Sequence, residues 1–215
     1  MKDTLIFDYD GTLNNTIKVY EPAFRTTFEW LISKGYAKDR LVTSEDISGW
    51  LGMNSCDMWN SFMPELPEEI KDKAASMVAS NIASLILSHK ASWYKGTEKV
   101  LTELKNRGYT MVILSNCRKS YKEANWKEFF MDRWFSDFYD CESYEFAPKT
   151  EIIHEIRKKY NTPFIIIGDR DSDFDCAKAS NSIFIGCRYG FGKNDELKGS
   201  DYFIDDISEI LKIIK

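Results

Sequence analysis

The sequence predicts an α/β protein in which a doubly wound parallel sheet carries a helical insertion after its first strand. Short apolar runs near residues 4–8, 109–114 and 164–167 each lead into polar residues. Runs of this kind are typical of strands that are covered on both faces. Helical patterns lie between the later runs, and such alternation of strands and helices favours a parallel sheet.

The first strand, near residues 4–8, leads two carboxylates into a Gly-Thr turn. Asp8 and Asp10 are two residues apart, so at the tip of a strand both can flank one small site. Like charges so close together are costly unless a divalent cation lies between them or one carboxyl group keeps its proton. Gly11 allows the sharp turn. Considered alone, the segment also fits an ordinary Asp-Gly turn in a polar loop.

The next part of the chain predicts helices. Residues 19–34 carry aromatic and aliphatic side chains on one stripe, and residues 67–87 form a second helical pattern with a proline at its start. We therefore expect a helical cap domain at 16–88, inserted into an α/β catalytic core made of 1–15 and 89–215. Three aromatic residues between the two patterns fit the interior of this cap better than a substrate-binding surface: Trp50, Trp59 and Phe62.

After the cap, residues 96–108 predict an amphipathic helix that ends in glycine, and the strand that follows leads into Ser115. Residues 126–140 predict an amphipathic helix and its exit turn, and residues 151–160 predict another helix. The strand after that leads into a run of acidic residues that starts at Asp169. Open parallel sheets bind ligands at the carboxyl ends of their strands, so these polar residues mark the expected site.

Composition excludes several classes of function. The chain has 215 residues, enough for one sizeable core and a subdomain, and its formal net charge of -5 argues against a nucleic-acid partner. The five cysteines are an odd number without CxxC spacing, which favours a reduced, cytoplasmic protein. We find no signal-sequence pattern and no apolar stretch of membrane-spanning length, so no membrane association is expected.

Four motifs occur in a fixed order along the chain. They are Asp8-Tyr9-Asp10-Gly11-Thr12-Leu13, Ser115-Asn116, Lys149, and Gly168-Asp169 followed by Asp173. Together they resemble a haloacid dehalogenase superfamily phosphatase with a helical cap, of the phosphoglycolate phosphatase-like branch. The resemblance spans nearly the whole chain and is weakest in the cap. It implies a Rossmann-like core, Mg²⁺ as cofactor, and hydrolysis of a phosphate monoester of a small phosphorylated metabolite.

The resemblance also implies roles for the acidic residues. Asp8 is the candidate nucleophile that forms an aspartyl phosphate and is also a metal ligand. Asp10 is the candidate general acid and base, and its backbone carbonyl is a further metal ligand. Asp169 is the second carboxylate ligand of Mg²⁺. Asp173 matches another acidic position, where it binds metal directly, binds it through water, or orients Lys149.

Ser115 and Lys149 are the candidate catalytic contacts to the phosphate oxygens. Candidate substrate-binding residues are Gly11, Thr12 and Asn116 in the core and Gly52, Met53 and Asn54 in a cap loop. The chain departs from the branch in two places. Lys149 follows Ala-Pro where relatives commonly have Lys-Pro, and Asn15 stands where many relatives have Asp.

Several alternatives stay open. A phosphomutase of the same fold would return the phosphoryl group to a sugar, and a non-catalytic phospho-ligand sensor could use the same scaffold. The two histidines, His89 and His154, fall in predicted helices away from the motifs, so zinc and Ser-His-Asp sites lack the necessary residues. Phosphoglycolate, sugar phosphates and nucleotide monophosphates all fit as substrates, and we expect a monomer or weak homodimer.

Overall fold

The computed structural model describes residues 2–193 and 195–215, which form a six-stranded parallel sheet flanked by helices. The strands are β1 (Thr4–Phe7), β2 (Thr110–Ser115), β3 (Asp137–Asp140), β4 (Phe164–Gly168), β5 (Ile183–Cys187) and β6 (Tyr202–Ile204). Their order across the sheet is β3-β2-β1-β4-β5-β6, and every neighbouring pair is parallel. The order changes direction between β1 and β4, where doubly wound sheets bind ligands. The predicted fold class is confirmed.

The helices fall into two groups along the chain. Between β1 and β2 lie α1 (Ile17–Ser33), α2 (Ser44–Gly49), α3 (Ser55–Phe62) and α4 (Glu68–Leu87). After them come α5 (Thr97–Asn106), α6 (Lys119–Glu128), α7 (Lys149–Lys159), α8 (Asp171–Ser180) and α9 (Ile210–Ile213). The described chain from β1 to β2 therefore contains helices and loops, as the sequence predicts. The exact domain boundaries stay a prediction.

Side chains of the central strands alternate between two hydrophobic clusters, one on each face of the sheet. In β1, Leu5 and Phe7 join the larger cluster and Ile6 joins the smaller one. In β4, Ile165 and Ile167 likewise contribute to the larger cluster. Every residue of both strands is buried. This is why their sequences are continuous apolar runs instead of alternating patterns.

The helices between β1 and β2 pack around aromatic rings. Phe24 of α1 lies at the centre, with its ring centroid 5.2 Å from that of Trp50 and 5.3 Å from that of Phe62. Trp59 of α3 is buried and stacks on the same phenylalanine at 6.0 Å. Aromatic pairs at such distances add to the burial of apolar surface. The three predicted aromatic residues thus pack together, with Trp59 buried and Trp50 and Phe62 partly buried.

The predicted helix at 126–140 is wrong after its first turn. Helix α6 ends at Glu128, Phe130 adopts a left-handed backbone with φ 49°, and β3 begins at Asp137. In β3 the alternate side chains are the buried ones, among them Phe138. Closely spaced aromatic residues fit a helix or a strand over so short a distance, and pairing with β2 decides the outcome.

The predicted helical placement of His89 is also wrong, because this residue lies beyond the end of α4 with φ 57°. Its Nδ1 lies 2.6 Å from Oε1 of Glu128. His154 lies in α7 as predicted. Among the described residues, neither histidine belongs to the group of side chains that could hold a metal ion.

The cysteines are all free thiols, and only Cys56 is exposed. The described helices include none that combines the length and the apolar character needed to cross a membrane.

Candidate active site

Three buried carboxylates meet at the carboxyl ends of β1 and β4. Asp8 follows β1 directly, and its backbone N–H donates to the Ile167 carbonyl at 2.8 Å, which keeps the two strand ends level. Asp169 follows β4, and Asp173 lies in the first turn of α8. Carboxylate oxygens of these three aspartates lie within 4.8 Å of one another. The structure thus brings together acidic residues that are far apart in sequence.

One buried cation pairs with two of the three carboxylates. Lys149, the first residue of α7, places Nζ 2.5 Å from Oδ1 of Asp8 and 2.6 Å from Oδ1 of Asp173. Burial alone would lower the pKa of Lys149, but the charges of Asp173 and Asp8 raise it above the usual value. The ammonium group is therefore kept charged between the two aspartates.

Asp173 uses both carboxylate oxygens within the protein. Oδ1 accepts from Lys149, while Oδ2 accepts from the backbone N–H of Asp169 at 3.2 Å and of Arg170 at 3.1 Å. The second pair of contacts caps the start of α8. Among the three roles left open by the sequence, this arrangement favours the one in which Asp173 orients Lys149.

Asp169 is held from the other side by a segment that follows β5. Its Oδ2 accepts from the backbone N–H of Phe191 at 2.7 Å and of Gly192 at 3.2 Å, and Thr12 Oγ1 lies 3.3 Å from Oδ1. Burial, followed by the charge of Asp173, raises the pKa of Asp169 to about 7, although the two N–H groups act in the opposite direction. Thr12, a predicted site residue, is thus in contact with the cluster.

Three glycines, Gly11, Gly190 and Gly192, allow the backbone to approach Asp169 closely. Gly11 has φ +86°, and a Cβ there would lie 2.3 Å from Oδ2 of Asp169. A Cβ on Gly192 would lie 1.8 Å from the backbone oxygen of Asp169. The sequence identified Gly11 as a site residue but missed Gly190 and Gly192. The available signal was that these two glycines follow soon after the apolar strand β5.

Burial dominates the electrostatics of Asp8. It raises the pKa of this carboxyl group well above the usual value; the charge of Lys149 lowers it, while those of Asp173 and Asp169 raise it further. Three carboxylates and one ammonium leave the cluster with an excess of negative charge when all are ionised. Carboxylate oxygens are the ligands that hard divalent cations prefer, so this cluster can hold such a cation.

Asp10 lies outside this cluster, in the wall of an adjacent cavity. Its Oδ1 accepts from Tyr121 Oη at 2.6 Å, from Asn14 Nδ2 at 3.5 Å and from Thr16 Oγ1. Asn14 Nδ2 also lies 2.8 Å from the Tyr121 hydroxyl. Burial raises the pKa of Asp10, and these three donors oppose the shift. Sequence reasoning missed all three donors.

Ser115 is the last residue of β2 and is buried at the same edge of the sheet as Asp8. Within the described residues, no hydrogen bond joins the Ser115 side chain to Asp8 or Lys149. Its predicted contact with a phosphate oxygen therefore stays a prediction.

Two core residues hold the cap loop that precedes α3. Asn116 Nδ2 donates to the Gly52 carbonyl at 3.2 Å, and Arg170 Nη1 donates to the Leu51 carbonyl. Asn116 belongs to one of the strand-end motifs, and Arg170 directly follows Asp169 of another. The predicted substrate-binding residues Asn116 and Gly52 are thus brought together, where they join the segment after β2 to the loop before α3.

The other two cap-loop candidates are placed differently. Met53 is 40% exposed and lines the cavity beside Asp10. Asn54 caps α3, since its Oδ1 accepts from the backbone N–H of Asp57 at 3.0 Å, and it is not part of the cavity wall. Its observed contacts are those of a helix cap.

The cavity itself measures about 110 Å³ and lies between the core and the helices α1, α3 and α4. Tyr20 contributes from α1, Trp59 from α3, Ile82 from α4, and Arg118 from the segment after β2. The charged cluster and this cavity therefore form two adjoining parts of one candidate active site, with Asp10 facing the cavity.

Residues 5–187 match the family model described as haloacid dehalogenase-like hydrolase. Among curated relatives, pyrophosphatase PpaX of Listeria monocytogenes is 23% identical, over 99% of this chain and 96% of its own. The phosphoglycolate phosphatase of Mannheimia succiniciproducens is 22% identical, over 97% of this chain and 96% of its own.

Solved structures agree with this match. CbbY from Rhodobacter sphaeroides in complex with phosphate has a TM-score of 0.81 at 18% identity, covering 98% of this chain and 96% of its own. The haloacid dehalogenase-like family protein SP0104 from Streptococcus pneumoniae has a TM-score of 0.81 at 21% identity, covering 99% of this chain and 98% of its own. At these identities the likeness establishes a common fold.

Proposed function

The chain belongs to the haloacid dehalogenase-like hydrolase family, and from this premise we propose that it is a Mg²⁺-dependent phosphatase acting on a small-molecule phosphate monoester. In this proposal the reaction passes through an aspartyl phosphate on Asp8. The observation that carries the proposal is the buried cluster of Asp8, Asp169 and Asp173 around Lys149. The names of relatives that act on pyrophosphate and phosphoglycolate support a phosphorylated substrate.

The residues present fit a magnesium ion. Asp8 and Asp169 would hold it together with the backbone carbonyl of Asp10, since the carboxylate oxygens lie within reach of one centre. Gly11 supports this fit, because any larger residue would fill the space against Asp169. When bound, the ion would offset the charge of an anionic nucleophile and an anionic phosphate.

Asp8 supplies the nucleophile. A carboxylate oxygen of Asp8 attacks phosphorus, and the bond between phosphorus and the leaving oxygen breaks. Lys149 holds the attacking carboxylate in place and remains positively charged close to the transferred phosphoryl group. Its charge stabilises the negative charge that develops on the phosphoryl oxygens during the transfer. Ser115 is proposed to contact an equatorial oxygen of the same phosphate.

Asp10 supplies the proton. Because Thr16, Asn14 and Tyr121 all donate to Oδ1, the other oxygen, Oδ2, is the one left to carry a proton. The raised pKa of Asp10 favours the protonated form that the first step requires. The proton moves to the leaving oxygen; Asp10 then takes a proton from the water that attacks phosphorus and releases Asp8 and phosphate.

The proposal is tested by phosphate release from a panel of small esters with Mg²⁺, with EDTA, and with Asp8→Asn. We expect release that needs both the metal and Asp8. Asp175→Asn is the matched control, because Asp175 is an exposed aspartate of α8 outside the cluster. Its activity should equal that of the unmodified protein.

Two results would overturn the proposal. Release that continues with Asp8→Asn would show that another group is the nucleophile. Binding of phosphate esters without any hydrolysis would favour the phospho-ligand sensor instead.

A further inference from the structure

Two of the side chains that line the cavity beside Asp10 are also exposed to solvent. Met53 of the cap loop is 40% exposed, and Phe146, in the segment between β3 and α7, is 37% exposed. In the same wall, Met58 and Trp59 of α3 are almost completely buried. The exposed pair therefore lies at the rim of the cavity, where it meets solvent.

Phe146 has a backbone conformation that is unusual for its residue type. Its φ is 59°, and Glu145 before it has φ 55°. Left-handed residues other than glycine are uncommon because Cβ approaches the following carbonyl oxygen, and a bulky side chain makes the conformation rarer still. Such a conformation persists only where its surroundings hold it, and it is found preferentially at active sites and ligand clamps.

Two backbone hydrogen bonds hold this left-handed turn in place. The Phe146 N–H donates to the Cys141 carbonyl at 2.8 Å, and the Ala147 N–H donates to the Tyr144 carbonyl at 2.9 Å. Helix α7 begins three residues after Phe146, at Lys149. The turn is thus joined directly to the residue whose ammonium group lies in the charged cluster.

The same segment is fastened to the residues that follow β2, which contribute Arg118 to the cavity wall. Glu142 Oε2 accepts from the backbone N–H of Lys119 at 2.8 Å, and Glu142 Oε1 lies 3.2 Å from Arg118 Nη1. The guanidinium of Arg118 lies 5.5 Å from the ring centroid of Phe146. The ring is therefore held at the rim by its own backbone and by a neighbouring cation.

Met53, the other exposed residue of the rim, has a different kind of side chain. Methionine is unbranched and adapts its shape to the groups it contacts. An aromatic ring on a constrained backbone cannot adapt in this way. Of the two residues, Phe146 is therefore the one that sets a firm limit at the rim.

We propose that Phe146 is a specificity-determining residue whose ring limits the size of the leaving group that the cavity accepts. This inference rests on the proposed function, in which the adjoining cluster hydrolyses a phosphate monoester. The cavity measures about 110 Å³, which is room for one small ring. A larger leaving group has to project past the rim, so a smaller side chain at position 146 extends the range of accepted esters.

The test uses esters of primary aliphatic alcohols, so that the leaving oxygen stays chemically alike while the leaving group grows. The probes are ethyl, cyclohexylmethyl and 1-adamantylmethyl phosphate. In Phe146→Ala, the ratio of kcat/KM for the adamantyl ester to that for the ethyl ester should rise by about tenfold. In Phe146→Trp, the ratio for the cyclohexyl ester to the ethyl ester should fall. An unchanged or lower adamantyl ratio in Phe146→Ala would overturn the inference.

Two further variants separate the size of the ring from the backbone conformation. Phe146→Gly removes both the ring and the cost of the left-handed backbone, whereas Phe146→Ala keeps that cost. Both should raise the adamantyl ratio; a rise in the glycine variant alone would assign the effect to the backbone and overturn the inference.

Phe130→Ala is the matched control. Phe130 is also left-handed, with φ 49°, and is 64% exposed, but it is not among the described residues that line the cavity. Its adamantyl ratio should equal that of the unmodified protein. A rise as large as that of Phe146→Ala would contradict a role specific to Phe146.

The outcomes separate this inference from the proposed function. Asp8-dependent hydrolysis with the same size preference in all variants would overturn the inference and leave the phosphatase intact. If no ester is hydrolysed, the proposed function fails, and binding decides the inference. Isothermal titration calorimetry would then use the matching phosphonates, in which a methylene group replaces the leaving oxygen. The adamantyl phosphonate should bind Phe146→Ala more tightly than the unmodified protein. Equal binding, or binding to neither protein, would overturn the inference.

Discussion

The two parts of the candidate active site are built in opposite ways. The proposed phosphate end is a cluster of buried charges, with Lys149 between Asp8 and Asp173 at the edge of the sheet where β1 and β4 end. The other end is a largely apolar cavity that helices α1, α3 and α4 form with the core. The charges are fixed by strand ends and by the first turns of α7 and α8, and they suit a chemistry common to all phosphate esters, whereas the apolar side chains of the cavity can vary with the substrate. We therefore expect changes at the phosphate end to abolish activity and changes at the other end to alter selectivity.

The largest effect is expected for Asp8→Asn. An amide cannot serve as the nucleophile, so kcat/KM should fall by about 10⁴-fold or more, as measured by phosphate release. Circular dichroism should show unchanged secondary structure. A variant that keeps a tenth of the activity would mean that Asp8 has no covalent role.

The next effect is on stability. Lys149→Met leaves the buried carboxylates of Asp8 and Asp173 without their cation, so the free energy of unfolding should fall by about 3–5 kcal/mol in urea titrations. Lys158→Met is the control from the same helix, because the ion pair that Lys158 forms within the described part of the chain, with Glu155, is exposed. Equal losses of unfolding free energy in the two variants would show that the buried ion pairs stabilise the fold no more than the exposed pair does.

A smaller effect is expected at the junction of the two parts. Tyr121→Phe removes one of the donors that fix Oδ1 of Asp10, so kcat should fall by about tenfold while KM stays near its original value. Tyr139→Phe, in β3 and remote from Asp10, should leave both constants unchanged. If KM rises instead and kcat does not change, Tyr121 acts on the substrate and not on Asp10.

The smallest effect is expected in the cap loop. Asn54→Ala removes the N-cap of α3 and should lower the free energy of unfolding by about 1 kcal/mol. We expect kcat/KM to stay within about twofold of the original value. A large increase in KM would instead support the substrate contact that the sequence suggested for Asn54.

Asp8, Ser115 and Asp169 could be placed at one edge of the sheet because each lies at the end of a buried strand, whereas Lys149 and Asp173 were identified only through the family resemblance. An apolar run that leads into Asp8 or Asp169 fixes both the element and the edge of the sheet where the carboxylate lies. In a parallel sheet those edges coincide, so sequence alone places the residues together. The roles of these residues are still predictions, which the proposed experiments test.

The rest of the site could not be predicted in this way. Tyr121 reaches Asp10 from a helix 111 residues later in the chain, and nothing in the local sequence marks a contact of that kind. The cavity depends on how α1, α3 and α4 pack together, which helical periodicity does not determine. Strand β3 was missed for a related reason, since its pairing with β2 overrides an ambiguous local pattern.

The central claim is that Asp8 forms a covalent bond to phosphorus, and chemical trapping tests it most directly. A sample that is releasing phosphate would be quenched and treated with borohydride, which reduces an acyl phosphate to an alcohol. Peptide mass spectrometry should then find homoserine in place of Asp8 only when substrate and Mg²⁺ were present. An unmodified Asp8 in an active sample, or homoserine at another aspartate, would contradict the account.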